Sequence, residues 1–384
     1  MIFSEENWFR KAIRFIDFAK IRANYGTTGN DQIGDYNYMD LYQPGYEDLP
    51  YQGVRSTGVS RIPNPYLQWE VTRKLSMGFD FSLLKNRITG GISYALNRSG
   101  NQLVNYNLPS TTGAANVLKN FPGLVQNTQW EFTLGSINLG KGAWKWSSNL
   151  NLTIPKSKLV RFDNLEESSY ARDLVIGMPI NIVRVYGFAG LNKETGLYQF
   201  YDKNGAVVDF PNRNVDNVGI IKLDPAFSGG LQNTISFKNF SFDFFLYFKK
   251  GMLNDLAITG GRRPPGNFGN MLTTVLDRWR KPGDDAGMMK LANESQTAYT
   301  YLYAFLSDKA YTNTFFVRLK NVNLAYSIPA SIVSRAGITS ARIFAQAQNL
   351  KVWSNYHGLD PENPGLPDNL PLRTTIVFGL QVSF

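Results

Sequence analysis

The chain has 384 residues, with 40 Lys and Arg against 30 Asp and Glu, a single histidine and no cysteine. Without cysteine there can be no disulfide, thiolate metal site or cysteine nucleophile, and one histidine excludes a two-histidine metal centre. The net charge of +10 raises nucleic acid as a partner, but lysine and arginine are scattered and form no basic run, so nucleic acid is set aside.

No apolar run approaches the ~18 residues of a membrane-spanning helix. The 20 Tyr, 26 Phe and 34 Gly instead suit a sheet protein with many turns. Met1 to Arg10 holds Glu5, Glu6 and Trp8 and no apolar core, which is not a signal peptide.

Phe18–Tyr25 reads as a short strand, with Ile21, Ala23 and Tyr25 on one side and a break at Gly26, Gly29, Asn30 and Asp31. A tyrosine-rich loop follows (Tyr36, Tyr38, Tyr42, Tyr46, Tyr51), closed by Pro65. From Trp69 to Leu83 the odd positions are apolar except for Arg73, and the even positions include Glu70, Lys74 and Asp80. After a turn at Lys85-Asn86, Ile88, Ile92, Tyr94 and Leu96 alternate with polar or small residues. Trp130, Phe132 and Leu134 continue the pattern, Gly140 and Gly142 turn the chain, and Trp144, Trp146, Leu150 and Leu152 return. Leu231–Phe237 and Phe240–Lys249 flank a turn at Lys238-Asn239. Phe315–Tyr326 shifts its apolar parity between Leu319 and Val322, which predicts a bulge. A turn with room for one helical turn leads to Ala341–Leu350, and Arg373–Phe384 ends the chain with Ile376, Phe378, Leu380, Val382 and Phe384 on one face.

Ten strands result, and their connections alternate between short and long. That asymmetry, with strands of about 9–11 alternating residues, is the pattern of a transmembrane barrel. The fold class is therefore all-β, a transmembrane antiparallel β-barrel, with about ten strands in this chain. Glu70, Lys74, Asp80 and Asp243 are expected on the polar face.

Several stretches resemble the SusC/RagA family of TonB-linked outer-membrane transporters: Ile21–Asn30 (IRANYGTTGN), Asn64–Glu70 (NPYLQWE), Arg278–Asp284 (RWRKPGD), Val317–Val322 with Tyr326–Pro329, and Gln348–Leu350 with Gly358–Glu362 (GLDPE). They fall in family order over nearly the whole chain. Two stretches depart from the pattern: Asn120–Glu131 carries Thr128-Gln129 where the family usually has a single Lys-Gly-like pair, and Asp202–Ala206 lacks the later acid and glycine of a calcium loop, leaving Asp202 as a plain turn residue.

The resemblance implies that residues 1–384 are the carboxy-terminal part of a barrel of roughly 22 strands, about ten strands forming an open half-barrel in isolation, with the first and last strands expected to stay apart as raw edges. A plug domain and the earlier strands would lie outside this sequence. It also implies residence in the outer membrane of a Gram-negative bacterium, in contact with outer-membrane lipid. The implied partners are a SusD-like surface lipoprotein as a lid, the TonB–ExbB–ExbD system through the missing amino-terminal part, and the barrel-insertion machinery, which would read the terminal Phe384. Cargo would be oligosaccharides or peptides, and no cofactor is implied.

Loop aromatics with amide and guanidinium neighbours can stack on sugars or peptide groups, which makes Trp279, Arg280, Asn349, Trp353 and Tyr356 candidates for substrate contact. The same aromatics also suit an interfacial girdle or a lid contact. No catalytic or metal residues are assigned: His357 sits in a loop beside Tyr356, Gly358 and Asp360, and Asp284-Asp285 is an adjacent pair in a Gly/Pro loop. An alternative of a different class is a secreted all-β carbohydrate-binding or adhesive module, which would bury one sheet face and expose charge on the other.

Overall fold

The computed structural model describes residues 2–6, 8–9, 15–30, 38–44, 52–54, 57–112, 116–255, 266, 270–292, 295–364 and 369–384. Asp31, Tyr36, Tyr46 and Tyr51 lie outside the described residues.

Ten strands form one sheet: β1 (Ile16–Asn30), β2 (Glu70–Leu83), β3 (Ile88–Gly100), β4 (Gly123–Leu139), β5 (Trp144–Phe162), β6 (Phe227–Phe237), β7 (Phe240–Asn254), β8 (Tyr311–Ile328), β9 (Ser340–Ser354) and β10 (Thr375–Ser383). Each pairs antiparallel with its neighbour in sequence, and β1 and β10 stand at opposite edges. The ten strands are those expected, and Ile21 and Ala23 pair with Phe79 and Met77 of β2 rather than with β10.

Directly opposed residues share a sheet face. One row runs Ile21–Phe79–Ile92–Phe132–Leu152–Gly229–Phe248–Val317–Trp353. Another runs Phe242–Leu324–Ala345–Phe378. The apolar residues of β7 and β10 therefore lie on the same face, as expected. Large side chains stand open there: Phe378 is 79% exposed and Phe240 51%. Near the short connections the face carries an aromatic belt. Trp144 stacks on Phe237 with centroids 4.4 Å apart, and Phe240 meets Tyr326 at 4.6 Å.

The opposite face is polar. Glu70, Lys74, Asp80 and Asp243 all have its parity. Arg22 bridges Asp80 at 3.1 Å and reaches Ser93, and Asn323 donates to Asp243.

Four short connections alternate with five long ones. The 329–339 connection contains the helical turn Ala330–Val333. The bulge in β8 is Lys320, skipped in the register on both sides. Several strands exceed their expected length towards the long connections. β1 runs through Gly26 and Gly29 to Asn30, paired with β2 throughout, so the expected break is corrected: isolated glycines do not end a strand whose ladder partner continues. β4 likewise starts at Gly123, and β5 ends at Phe162.

Candidate functional site

Described parts of two long connections, 163–226 and 255–310, pack into structure of their own. Strands Gly187–Leu191, Tyr198–Tyr201 and Val207–Val208 form a small sheet, and helix α1 (Ser295–Phe305) lies beside it. Between them Tyr186, Tyr198, Phe200, Met289, Tyr301 and Ala304 make a buried cluster. Burial pushes the Tyr198 and Tyr301 hydroxyls above their ordinary value. Lys309 lies over the rings of Phe188 (4.5 Å) and Tyr198 (5.4 Å), and burial lowers its ammonium's pKa against the opposing pull of Asp255 and Asp308.

Trp279 and Arg280 belong to the segment that docks on this unit. Trp279 Nε1 donates to the Lys193 carbonyl at 2.7 Å, and Gly283 N donates to the same oxygen at 2.9 Å. Asp284 accepts from the backbone of Arg280 and Lys281, and Asp285 pairs with Lys193 at 2.9 Å. Gly196, at φ +68°, lies against the Trp279 ring, where a Cβ would come within 2.4 Å. The Trp279 indole is thus a clasp on the 192–196 turn, and the Arg280 guanidinium remains exposed, held to the Leu276 carbonyl at 3.3 Å.

Asn349, Trp353 and Tyr356 come from β9 and the connection after it. Asn349 has φ +52°, donates to the Arg373 carbonyl and accepts from Thr374, tying β9 to the chain entering β10. Trp353 opposes Val317 on the apolar face and is 51% exposed. The Tyr356 ring lies against Gly358. The five candidates therefore occupy two separately anchored groups, one on the loop unit and one on β9. Phe384 follows Ser383, whose carbonyl accepts from Thr339 N beside the 329–339 connection, and its ring is 90% exposed.

Sequence reasoning missed a buried ion network joining two of the quoted motifs. Arg318 on the polar face of β8 meets both Asp360 and Glu362, and Lys320 reaches Glu362 at 2.8 Å. Arg318 and Asp360 are 3% and 2% exposed. Asp360 also accepts from the backbone of Glu362 and Leu372, each at 2.9 Å. The bulge places Lys320 and Asn321 on the same side as Arg318, which lets two cations reach one carboxylate. Motif co-occurrence was the available signal, but nothing in the sequence pairs positions 42 residues apart. Nearby, Asp255 accepts from Thr312 at 2.7 Å and lies 3.2 Å from His357 Nδ1.

Asp202 turns its own loop, accepting from Asn204 N and Ala206 N at 2.8 Å each, which holds its carboxyl below the usual carboxylate range. Among the described residues no cluster of three metal-ligating side chains occurs.

No family model matches the chain. It is 27% identical to the TonB-dependent receptor P26 of Formosa agariphila over 99% of this chain and 41% of that protein. It is 26% identical to the TonB-dependent receptor SusC of Bacteroides thetaiotaomicron over 99% of this chain and 39% of that one. Among solved structures, the RagAB peptide transporter superposes with a TM-score of 0.83 at 22% identity, covering all of this chain and 43% of that chain. The chain thus spans about two fifths of the length of the curated relatives it matches. Over nearly its whole length the chain is similar to the SusC-type TonB-dependent receptors, and its ten-strand antiparallel sheet has the fold of the carboxy-terminal barrel portion of the RagAB transporter.

Proposed function

We infer that this chain forms part of the wall of a transporter that takes up nutrients across the outer membrane of a Gram-negative bacterium in a TonB-dependent manner. The observation that carries the reading is the exposed apolar face crossing all ten strands, backed by a polar face, with every long connection at one end. A water-soluble module would bury such a face; lipid is its natural solvent. The two edges argue in the same direction. Unpaired N–H and C=O groups cost several kcal/mol each in hydrocarbon, so β1 and β10 require further strands from the rest of the protein to close the wall. A plug domain would then fill the polar interior and couple to the TonB–ExbB–ExbD motor.

The packed long-connection unit is the natural seat for a SusD-like lipoprotein lid and for cargo. The RagAB peptide transporter, as a structural neighbour, supports peptides as one cargo class, and oligosaccharides are the other class that the family resemblance implies. Trp279, Arg280, Asn349, Trp353 and Tyr356 remain the proposed contacts. Arg280 is the one charged residue of the set and its side chain is exposed, whereas Trp353 stands on the outward apolar face, where an interfacial girdle position is its alternative role. The role is transport and not catalysis.

The test is uptake by cells producing the whole protein. Growth on an oligosaccharide or peptide as sole carbon source should require both this protein and an intact TonB system. Recovery of the whole protein as a soluble species without detergent would overturn the reading.

A further inference from the structure

β5 and β7 both outrun the strand between them. β5 pairs with β6 only from Trp144 to Thr153, and from Ile154 to Phe162 it pairs with β4 alone. β7 continues past Lys250, which faces Phe227 at the start of β6, to Asn254. The gap between the projecting strands is a cavity of about 780 Å³, bordered by the turn at Gly177–Pro179 and the 222–226 segment.

Four lysines line it: Lys156, Lys158, Lys222 and Lys250. The one carboxylate among the lining residues, Asp224, accepts a hydrogen bond from Ser157. Lys156, Lys158 and Lys250 have the parity of Ile154 and Phe248, so they stand on the apolar face. An outward row, Arg73–Arg98–Gln126–Lys158, continues the cationic band over four strands, and Arg98 Nε donates to Gln126 at 2.8 Å.

The height of the band is set by the strand itself. Trp144 to Ile154 supplies the ~9–11 residues that cross hydrocarbon, and Lys156 and Lys158 follow directly on the long-connection side. Four lysines against one carboxylate leave the lining with a net positive charge that a polyanion would neutralise. At this depth, beside an apolar face, the abundant polyanions are lipid headgroups.

We propose that this slot holds the phosphorylated headgroup of a membrane lipid in the leaflet on the long-connection side, with its acyl chains lying on the apolar face below Lys156. The proposal rests on the reading that this face meets lipid.

The test uses the whole protein carrying this chain, purified in neutral detergent, with diphosphorylated lipid A and its fully dephosphorylated form as probes and native mass spectrometry as readout. The diphosphorylated lipid should be retained at least about tenfold better than the dephosphorylated one. A combined K156Q/K158Q/K222Q/K250Q variant should lose that preference, the four Lys→Arg replacements should keep it, and K85Q/K141Q at the short connections should leave it unchanged. Heat-modifiable gel mobility checks that each variant is folded. Equal retention of the two lipids, or undiminished preference in the Lys→Gln set, overturns the proposal. Competition by inorganic phosphate as effective as that by the lipid also overturns it, in favour of a soluble phosphorylated ligand.

A spin label at Phe378→Cys, in a whole protein whose cysteines outside residues 1–384 are replaced, separates the two levels. A label in lipid with no effect of the lysines sinks this proposal alone; a label in water sinks the membrane reading beneath it as well.

Discussion

The guanidinium of Arg318, on β8, and the carboxylate of Asp360, in the connection between β9 and β10, meet in a nearly water-free pocket on the polar side of the sheet. Asp360 accepts two backbone N–H groups as well, so it fixes the path of the 360–372 segment. Removing the Asp360 charge leaves the Arg318 guanidinium paired with Glu362 and weakens the two backbone hydrogen bonds that Asp360 accepts, at an expected cost of about 1.5–3 kcal/mol. Asp360→Asn should therefore lower the temperature at which the folded protein loses its compact gel mobility. Asp360→Leu, which also leaves the Glu362 and Leu372 N–H groups without their side-chain acceptor, should cost more than Asp360→Asn.

Outward and inward positions of β10 should differ sharply. Phe378→Lys places a charge on the apolar face and should cost about 2–4 kcal/mol if it sits near the bilayer midplane. Gln381→Lys, on the polar face, should be tolerated. Folded fractions from a urea titration in lipid vesicles measure both, and equal effects would contradict the assignment of faces.

Deleting Phe384 should reduce the amount of protein reaching the cell surface while leaving the loop unit intact. Its ring is 90% exposed and supports no packing that would explain a loss of stability. Surface labelling against total protein is the measurement, and unchanged surface level would refute the assembly role.

At the clasp, Gly196→Ala should be more damaging than its size suggests. The residue sits at φ +68° with the Trp279 ring against it, so both backbone conformation and space oppose a methyl group. A cost of order 1–3 kcal/mol is expected from the left-handed backbone alone. Limited proteolysis should cut the 192–196 turn or the 279–285 segment in this variant and spare the strands.

The loop unit should loosen in alkali. Burial raises the Tyr198 and Tyr301 hydroxyls above the unfolded value, so folding favours their neutral forms. Their contribution is complete below pH ~10 and is lost as pH rises from there through the raised folded values. Protease sensitivity between residues 186 and 210 should increase over that window, and Tyr198→Phe should shift the onset upward. An unchanged onset would show that Tyr198 does not control the opening.

What could be read from the chain was the part immersed in a two-sided environment. Alternation of period two, as in Phe240–Phe248 and Ile376–Val382, exists because one face meets an apolar medium and the other a polar one, so it located all ten strands and both faces. The parity slip at Lys320 was legible for the same reason, since one extra residue reverses every later side chain. Where that contrast ends, so does the signal. The extensions Gly26–Asn30, Gly123–Gln129 and Pro155–Phe162 are held by ladder hydrogen bonds with mixed side chains, and backbone pairing leaves no trace in residue type. Tertiary structure alone decided which distant residues meet: Arg318 with Asp360, Trp279 with the 192–196 turn, and four lysines around one slot. Each of these contacts depends on how far one strand outruns another and on where a connection folds back. Those are properties of the register and packing of the whole sheet rather than of any local stretch of sequence.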